Sequence, residues 1–124
     1  MNKERILEMA DIIERTPHAK ESVARTAYDT RAPEFFDMAI THCGSTACIG
    51  GFVRWKVDGT NEAHDIEWAV AEYFEISDNQ ANAICYPPFG IDYETITSAQ
   101  ASKLLRNFAE SGAVDWNAVL EARP

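Results

Sequence analysis

Ile76-Ser77-Asp78-Asn79-Gln80-Ala81-Asn82-Ala83-Ile84-Cys85 and, twenty positions later, Ile96-Thr97-Ser98-Ala99-Gln100-Ala101-Ser102-Lys103-Leu104-Leu105 are the stretches that decide the fold. Each sets a hydroxyl residue three positions ahead of a glutamine. This is the reciprocal capping box, in which side chain and backbone at a helix start satisfy each other's donors. Each also has an apolar residue just before the cap and an alanine at the fourth helical position, as a hydrophobic staple would. Either a recognition unit has been duplicated, or two helices begin with the same cap chemistry. The second reading is preferred because such boxes are common. Both readings fix helix starts at Ser77 and Thr97. The first helix must stop at Cys85-Tyr86-Pro87-Pro88, where prolines forbid continuation. The second, about Ser98 to Glu110, places Ala101, Leu104, Leu105, Phe108 and Ala109 on one face and stops at Ser111-Gly112. Asp115 caps a last short helix carrying Trp116, Val119 and Leu120.

Upstream, Thr60 or Asn61 caps a helix to about Glu75. Its stripe is Ile66, Ala69, Val70, Tyr73 and Phe74, with Glu67 and Glu72 outside it. Ser45 or Thr46 is expected to open a helix through Cys48, Ile49, Phe52, Val53 and Trp55, ended by Asp58-Gly59. Gly50-Gly51 within it costs ~1 kcal/mol per glycine relative to alanine, which close approach of another helix or backbone would offset. Asn2 caps a first helix over about 3–15 with Ile6, Met9, Ala10 and Ile13 inward, closed by Thr16-Pro17. Residues 18–28 read equally as a short helix or as irregular chain. Arg31-Ala32-Pro33 breaks whatever precedes it, and the apolar cluster Phe35-Phe36-Asp37-Met38-Ala39-Ile40 must be buried, with one short extended segment near 35–41. No strand–helix alternation and no hairpin signal occurs. The expected fold is all-α: one compact orthogonal bundle of about five to seven short helices over residues 1–124, as a single domain.

With 124 residues, 46% hydrophobic and 25% charged, the composition excludes a disordered tail, a collagen-like rod and a disulfide-packed miniprotein. No apolar run approaches the ~18–20 residues of a membrane helix, and the charged start is no signal peptide, so a cytoplasmic location is expected. A net charge of −9 argues against direct nucleic-acid binding. That charge is unevenly spread. Residues 1–60 hold eight basic and nine acidic side chains, residues 61–124 three and eleven. No Lys or Arg lies between Lys56 and Lys103, a stretch containing Asp58, Glu62, Asp65, Glu67, Glu72, Glu75, Asp78, Asp92 and Glu94. A solvated, solubilising surface explains this most simply. A docking face for a basic partner is the sharper alternative, because a field of one sign speeds association with its opposite. Its expected partner-binding residues are Asp58, Glu62, Asp65, Glu67, Trp68, Glu72, Glu75 and Asp78. Trp68 falls off its helix's apolar stripe, where an exposed indole would make an interface anchor.

Cys43, Cys48 and Cys85 are an odd count, so at least one thiol is free. The Cys43–Cys48 spacing is outside the usual zinc knuckle. With only His18, His42 and His64 as further soft ligands, neither a metal nor a cofactor is expected. Cys48 reads first as a small core residue on the stripe of Phe52 and Trp55. The alternative is a reactive thiol in a first helical turn, with Cys43 as resolving partner and His42 or His64 as base. Cys85 occupies the place of Leu105 in the repeated pattern, which makes it core. Gly44-Ser45-Thr46 is only a weak anion-binding signal, lacking the lysine of a phosphate loop.

Phe36-Asp37-Met38 followed by Cys43-Gly44-Ser45-Thr46-Ala47-Cys48-Ile49-Gly50-Gly51-Phe52 resembles a segment of small uncharacterised phage and prophage proteins. In these an aromatic-plus-Met stretch leads into a Cys-Gly-Thr-x-x-Cys-x-x-Gly-Trp helix. The two capping-box segments and Ser111-Gly112-x-Val114-Asp115-Trp116 are similar to their closing helices, so the resemblance spans roughly residues 35–120. Phe52 stands where that family usually has Trp, and Cys85 where Phe is common. The resemblance transfers no catalytic residue. It implies a setting, a phage-borne accessory protein in a bacterial cytoplasm.

Three functions are therefore expected in turn. The first is a non-enzymatic binder or inhibitor of a host protein, such as an anti-defence factor engaging a basic, nucleic-acid-binding surface. The alternative is a thiol-dependent redox or hydrolytic enzyme centred on Cys48. The third is a purely structural role, for example as a homodimer or a minor virion component.

Overall fold

The computed structural model describes residues 1–16, 35–36, 38, 42–43, 46–59, 66–88 and 90–120. In chain order these form α1 (Lys3–Glu14), strands β1 (Phe35–Phe36), β2 (His42–Cys43) and β3 (Thr46–Ala47), then α2 (Ile49–Asp58), α3 (Ile66–Phe74) and α4 (Asp78–Cys85). A 3-10 turn at Tyr93–Thr95, α5 (Ser98–Ser111) and α6 (Trp116–Leu120) complete them. The fold is all-α, with a sheet of two-residue strands beside it.

Both capping boxes form. Ser77 Oγ accepts from the Gln80 amide at 3.1 Å while Gln80 Oε1 accepts from the Ser77 amide at 3.0 Å. Thr97 and Gln100 repeat the exchange at 3.1 and 2.9 Å. Asn2 Oδ1 accepts from the Arg5 amide and Asp115 Oδ1 from the Ala118 amide, each at 3.1 Å, opening α1 and α6 as their side chains dictate. The stops also follow the residues. α4 ends at Tyr86, held extended ahead of Pro87. Gly59 and Gly112 close α2 and α5 in the left-handed conformation at φ 69° and 78°.

α1 packs along α5. Ser98 Oγ donates to the Thr16 carbonyl (2.7 Å), Ser102 Oγ to Glu14 (3.5 Å) and Arg106 to Asp11 (2.6 Å). The partners descend α1 as they ascend α5, so the two helices run antiparallel. Beside this pair, α3 packs against both α2 and α4. α6 is tied to α4 by the buried Trp116, whose Nε1 donates to the Ala83 carbonyl at 2.9 Å. Among the described residues, the inward faces of the six helices, with Phe36 and Met38, join one buried cluster. Each large apolar side chain buried there contributes ~1.5–3 kcal/mol relative to exposure. Cys85 lies in it, as its alignment with Leu105 implies. Among the described residues, no helix is long and apolar enough to cross a membrane.

Two expectations are corrected around residues 35–49. The short extended segment expected near 35–41 is present as β1, and two strands that were not expected follow it, in the order β1-β3-β2, with β1 parallel to β3 and β2 antiparallel to it. His42↔Ala47 and Cys43↔Thr46 pair as a hairpin that the turn chemistry did not announce. The helix expected from Ser45 or Thr46 starts only at Ile49, with Cys48 as an N-cap that makes no side-chain cap bond. Thr46 and Ala47 are held extended because their backbone pairs with Phe35 and Phe36, and that pairing overrides the local capping signal. The readings of residues 18–28, of Arg31-Ala32-Pro33 and of the Thr60 or Asn61 cap lie outside the described residues.

The end of α3 has a feature of its own. Glu75 adopts φ 55°, a left-handed position glycine usually fills, and the Ile76 amide returns to the Ala71 carbonyl at 3.0 Å. Two further end carbonyls are met by the start of α1. The Asn2 amide donates to Phe74 at 2.7 Å and the Arg5 guanidinium to Tyr73 at 3.1 Å. The positive end of α1 thus faces the negative end of α3.

Candidate partner-binding surface

α3 carries the surface. Its buried arc is Ile66, Ala69, Val70, Ala71 and Phe74. At 100° per residue, Trp68 and Glu72 fall on the opposite side, forty degrees apart, and both are exposed. Trp68 keeps 53% of its surface in solvent. Glu75 and Asp78, also exposed, continue the acidic face into the start of α4.

Glu67 sits differently from its sequence reading. It lies on the flank towards α4, half-buried, and its carboxylate accepts the hydroxyl proton of Tyr86. That bond, then partial burial, raises the Tyr86 phenol above its ordinary value and keeps it protonated. Tyr86 itself is 46% exposed. In the sequence Tyr86 marks only a helix stop ahead of Pro87-Pro88. The only signal was an aromatic placed where the following proline turns the chain outward. The surface therefore presents two exposed rings, Trp68 adjoining Glu67 in sequence and Tyr86 bonded to it.

Of the other expected surface residues, Asp58 closes α2 and is described by its backbone alone, while Glu62 and Asp65 lie outside the described residues. Arg5 brings a cation to one edge of α3, but it is committed there. Its guanidinium lies 4.8 Å from the Tyr73 ring centroid while it bonds the Tyr73 carbonyl. Lys56 pairs with Glu8 at 3.2 Å, and Arg106 with Asp11 and Glu14 at 2.6 and 3.4 Å, away on α1, α2 and α5. The two acidic partners push Arg106 further into its charged range.

Cys48 and Cys85 are both buried, where α2, α3 and α4 converge. Burial foremost, then the electrostatic neighbours Cys48 and Glu67, pushes the Cys85 thiol well above its ordinary value. A thiol so placed is a protonated core group rather than a nucleophile. The side chains of Cys43, His42, His18 and His64 lie outside the described residues. Among the described residues no three His, Cys, Asp or Glu side chains converge as metal ligands. The aromatics expected in the core divide: Trp116 and Phe74 are buried, Trp55 and Tyr73 half-buried.

Compared with known proteins, the chain matches no family model, no curated protein and no solved structure.

Proposed function

We propose that the protein is a small acidic accessory protein, a non-enzymatic binder or inhibitor of a protein partner with a basic surface. The observation that carries this reading is Trp68. An indole more than half exposed, on the outer face of α3 with Glu72, is the kind of group that anchors interfaces rather than cores. Around it lies the chain segment between Lys56 and Lys103 that lacks cations. Nucleic-acid-binding proteins present such basic surfaces, evolved to meet phosphate. With the phage-type motif over residues 36–52, this makes an anti-defence factor in a bacterial cytoplasm the preferred setting. No catalytic residue is assigned. The thiol alternative centred on Cys48 gains nothing comparable, since Cys48 is buried and Cys85 is held protonated.

Capture from a bacterial lysate at low and high salt, with wild type beside a Glu72→Lys, Glu75→Lys, Asp78→Lys variant, tests this. The reading expects a captured protein that is released by salt and lost on charge reversal. A partner retained equally by wild type and variant would show that this face is not the contact.

A further inference from the structure

We propose that Trp68 and Glu72 form a receptor for an arginine side chain of a basic partner segment, and that the site distinguishes arginine from lysine. The inference rests on the acidic-docking reading above and adds to it the chemistry of the contacting group. Trp68 and Glu72 are both exposed and one helical turn apart on the same face, the spacing at which Cβ atoms are about 5–6 Å apart and side chains can act together. A guanidinium is planar and weakly hydrated. It can lie flat on an aromatic ring while its N–H fork meets a carboxylate at the ring's edge. An ammonium meets the same carboxylate as a point charge and gains less from the ring.

Within the chain the same chemistry is already in use. Arg5 lies over Tyr73 on another side of α3, at 4.8 Å from the ring centroid. Tyr86, with its hydroxyl engaged by Glu67, offers a second exposed aromatic surface on the α4 flank. The occupant is a basic protein segment rather than a second copy. Two copies joined at this face would bring Glu72, Glu75 and Asp78 against themselves, and like charges placed together repel.

The test uses the intact protein and two fluorescent peptides of equal length, oligo-arginine and oligo-lysine, titrated at low salt with anisotropy as readout. The arginine peptide is expected to bind about threefold to fivefold more tightly, the range of one exposed cation–aromatic contact. Trp68→Leu should bring the two affinities together while leaving binding to both. Glu72→Arg places the chain's own guanidinium one turn from the ring and should also abolish the preference, with circular dichroism confirming the helix content of each variant. Equal affinities in wild type, unaltered by Trp68→Leu, would overturn the receptor while the acidic-docking reading stood. Binding of neither peptide would overturn both. A dimer seen by sedimentation and dissolved by Trp68→Leu would put a second copy on the face and overturn the receptor.

Discussion

Gly50 is the second residue of α2 and is buried where three helices meet. A methyl group built on it would lie 3.0 Å from Ile66 Cδ1, 3.2 Å from Ile66 Cβ and 3.3 Å from Cys85 Sγ. The first contact is with the free end of a side chain, which can rotate away. The second is anchored to the backbone of α3, and the third hangs on a short side chain at the end of α4. Carbon atoms pack best at ~3.5–4.0 Å, so α2 would have to withdraw by a few tenths of an ångström from two helices at once. Gly50→Ala therefore sets two magnitudes against each other. The helix gains up to ~1 kcal/mol in propensity. Overpacking a core costs typically ~1–3 kcal/mol, and the backbone-anchored contact puts this site above the lower limit. The expected net result is destabilisation by about 1 kcal/mol, or a fall in Tm of roughly 3–5 °C for a chain of this size.

Urea unfolding followed by circular dichroism reads the effect as a lower midpoint at unchanged slope. Adding Cys85→Ala removes the Sγ contact and should recover part of the loss, with a coupling of at least ~0.5 kcal/mol in the double-mutant cycle. Adding Ile66→Val removes the movable Cδ1 and leaves Cβ, so it should recover less. A Gly50→Ala protein as stable as wild type, with no coupling to Cys85, would refute close approach as the reason for glycine here.

Three other outcomes follow from the same geometry. Ser77→Ala and Thr97→Ala each remove a cap acceptor and should cost about 1 kcal/mol by denaturant midpoint, additively, because the two helices lack a shared partner there; a cost near zero for either would mean that its box adds nothing to its helix. Glu75→Gly relieves a left-handed non-glycine residue, a cost of roughly 1–2 kcal/mol, but loses the 2.8 Å bond from Asn2 Nδ2 to Glu75 Oε2. A net gain of about 0.5–1 kcal/mol is expected, and a loss would show the Asn2 tie to be the stronger effect. Stability should fall as pH rises through about 8.5 towards 10. The buried Cys85 thiol has a folded value above its unfolded one, so its contribution is complete below the unfolded thiol's ~8.5 and is lost above it. Cys85→Ala should flatten that slope over the same range, and an unchanged slope would assign the loss to another group.

Features written locally in the chain were the legible ones. The boxes at Ser77 and Thr97, the caps at Asn2 and Asp115, and the stops at Gly59 and Gly112 each depend on a few adjacent residues. Trp68 was legible as exposed because its angle around the helix axis follows from its spacing to Ile66 and Val70. Cys85 was legible as buried through its alignment with Leu105. What escaped depends on distant partners. Thr46 carries good cap chemistry, and the pairing of Thr46–Ala47 with Phe35–Phe36 on one side and His42–Cys43 on the other keeps it in a strand. Glu67 reads as a solvated carboxylate until the fold brings Tyr86 to it from nineteen positions away. Gly50 announced a close approach but not what approaches. That needed Ile66 and Cys85 in the same place.

The two sides of the molecule use their carboxylates differently, and this bears on function more than the net charge does. On α1, Glu8, Asp11 and Glu14 are matched by Lys56 and Arg106 across the contacts with α2 and α5, so that side carries a nearly balanced field. On α3 and the start of α4, Glu72 and Asp78 have no such cation among the described residues. Arg5, which reaches α3 from α1, is turned onto the Tyr73 ring and carbonyl. Pairs as exposed as those on α1 stabilise a fold by only ~0–1 kcal/mol each, so leaving α3 unpaired forfeits little stability. It does leave a directional field, which accelerates encounter with a basic surface and screens out acidic ones. An unneutralised field around an exposed indole gains function only when something covers it, and the Arg-versus-Lys comparison at Trp68 is the measurement closest to that contact.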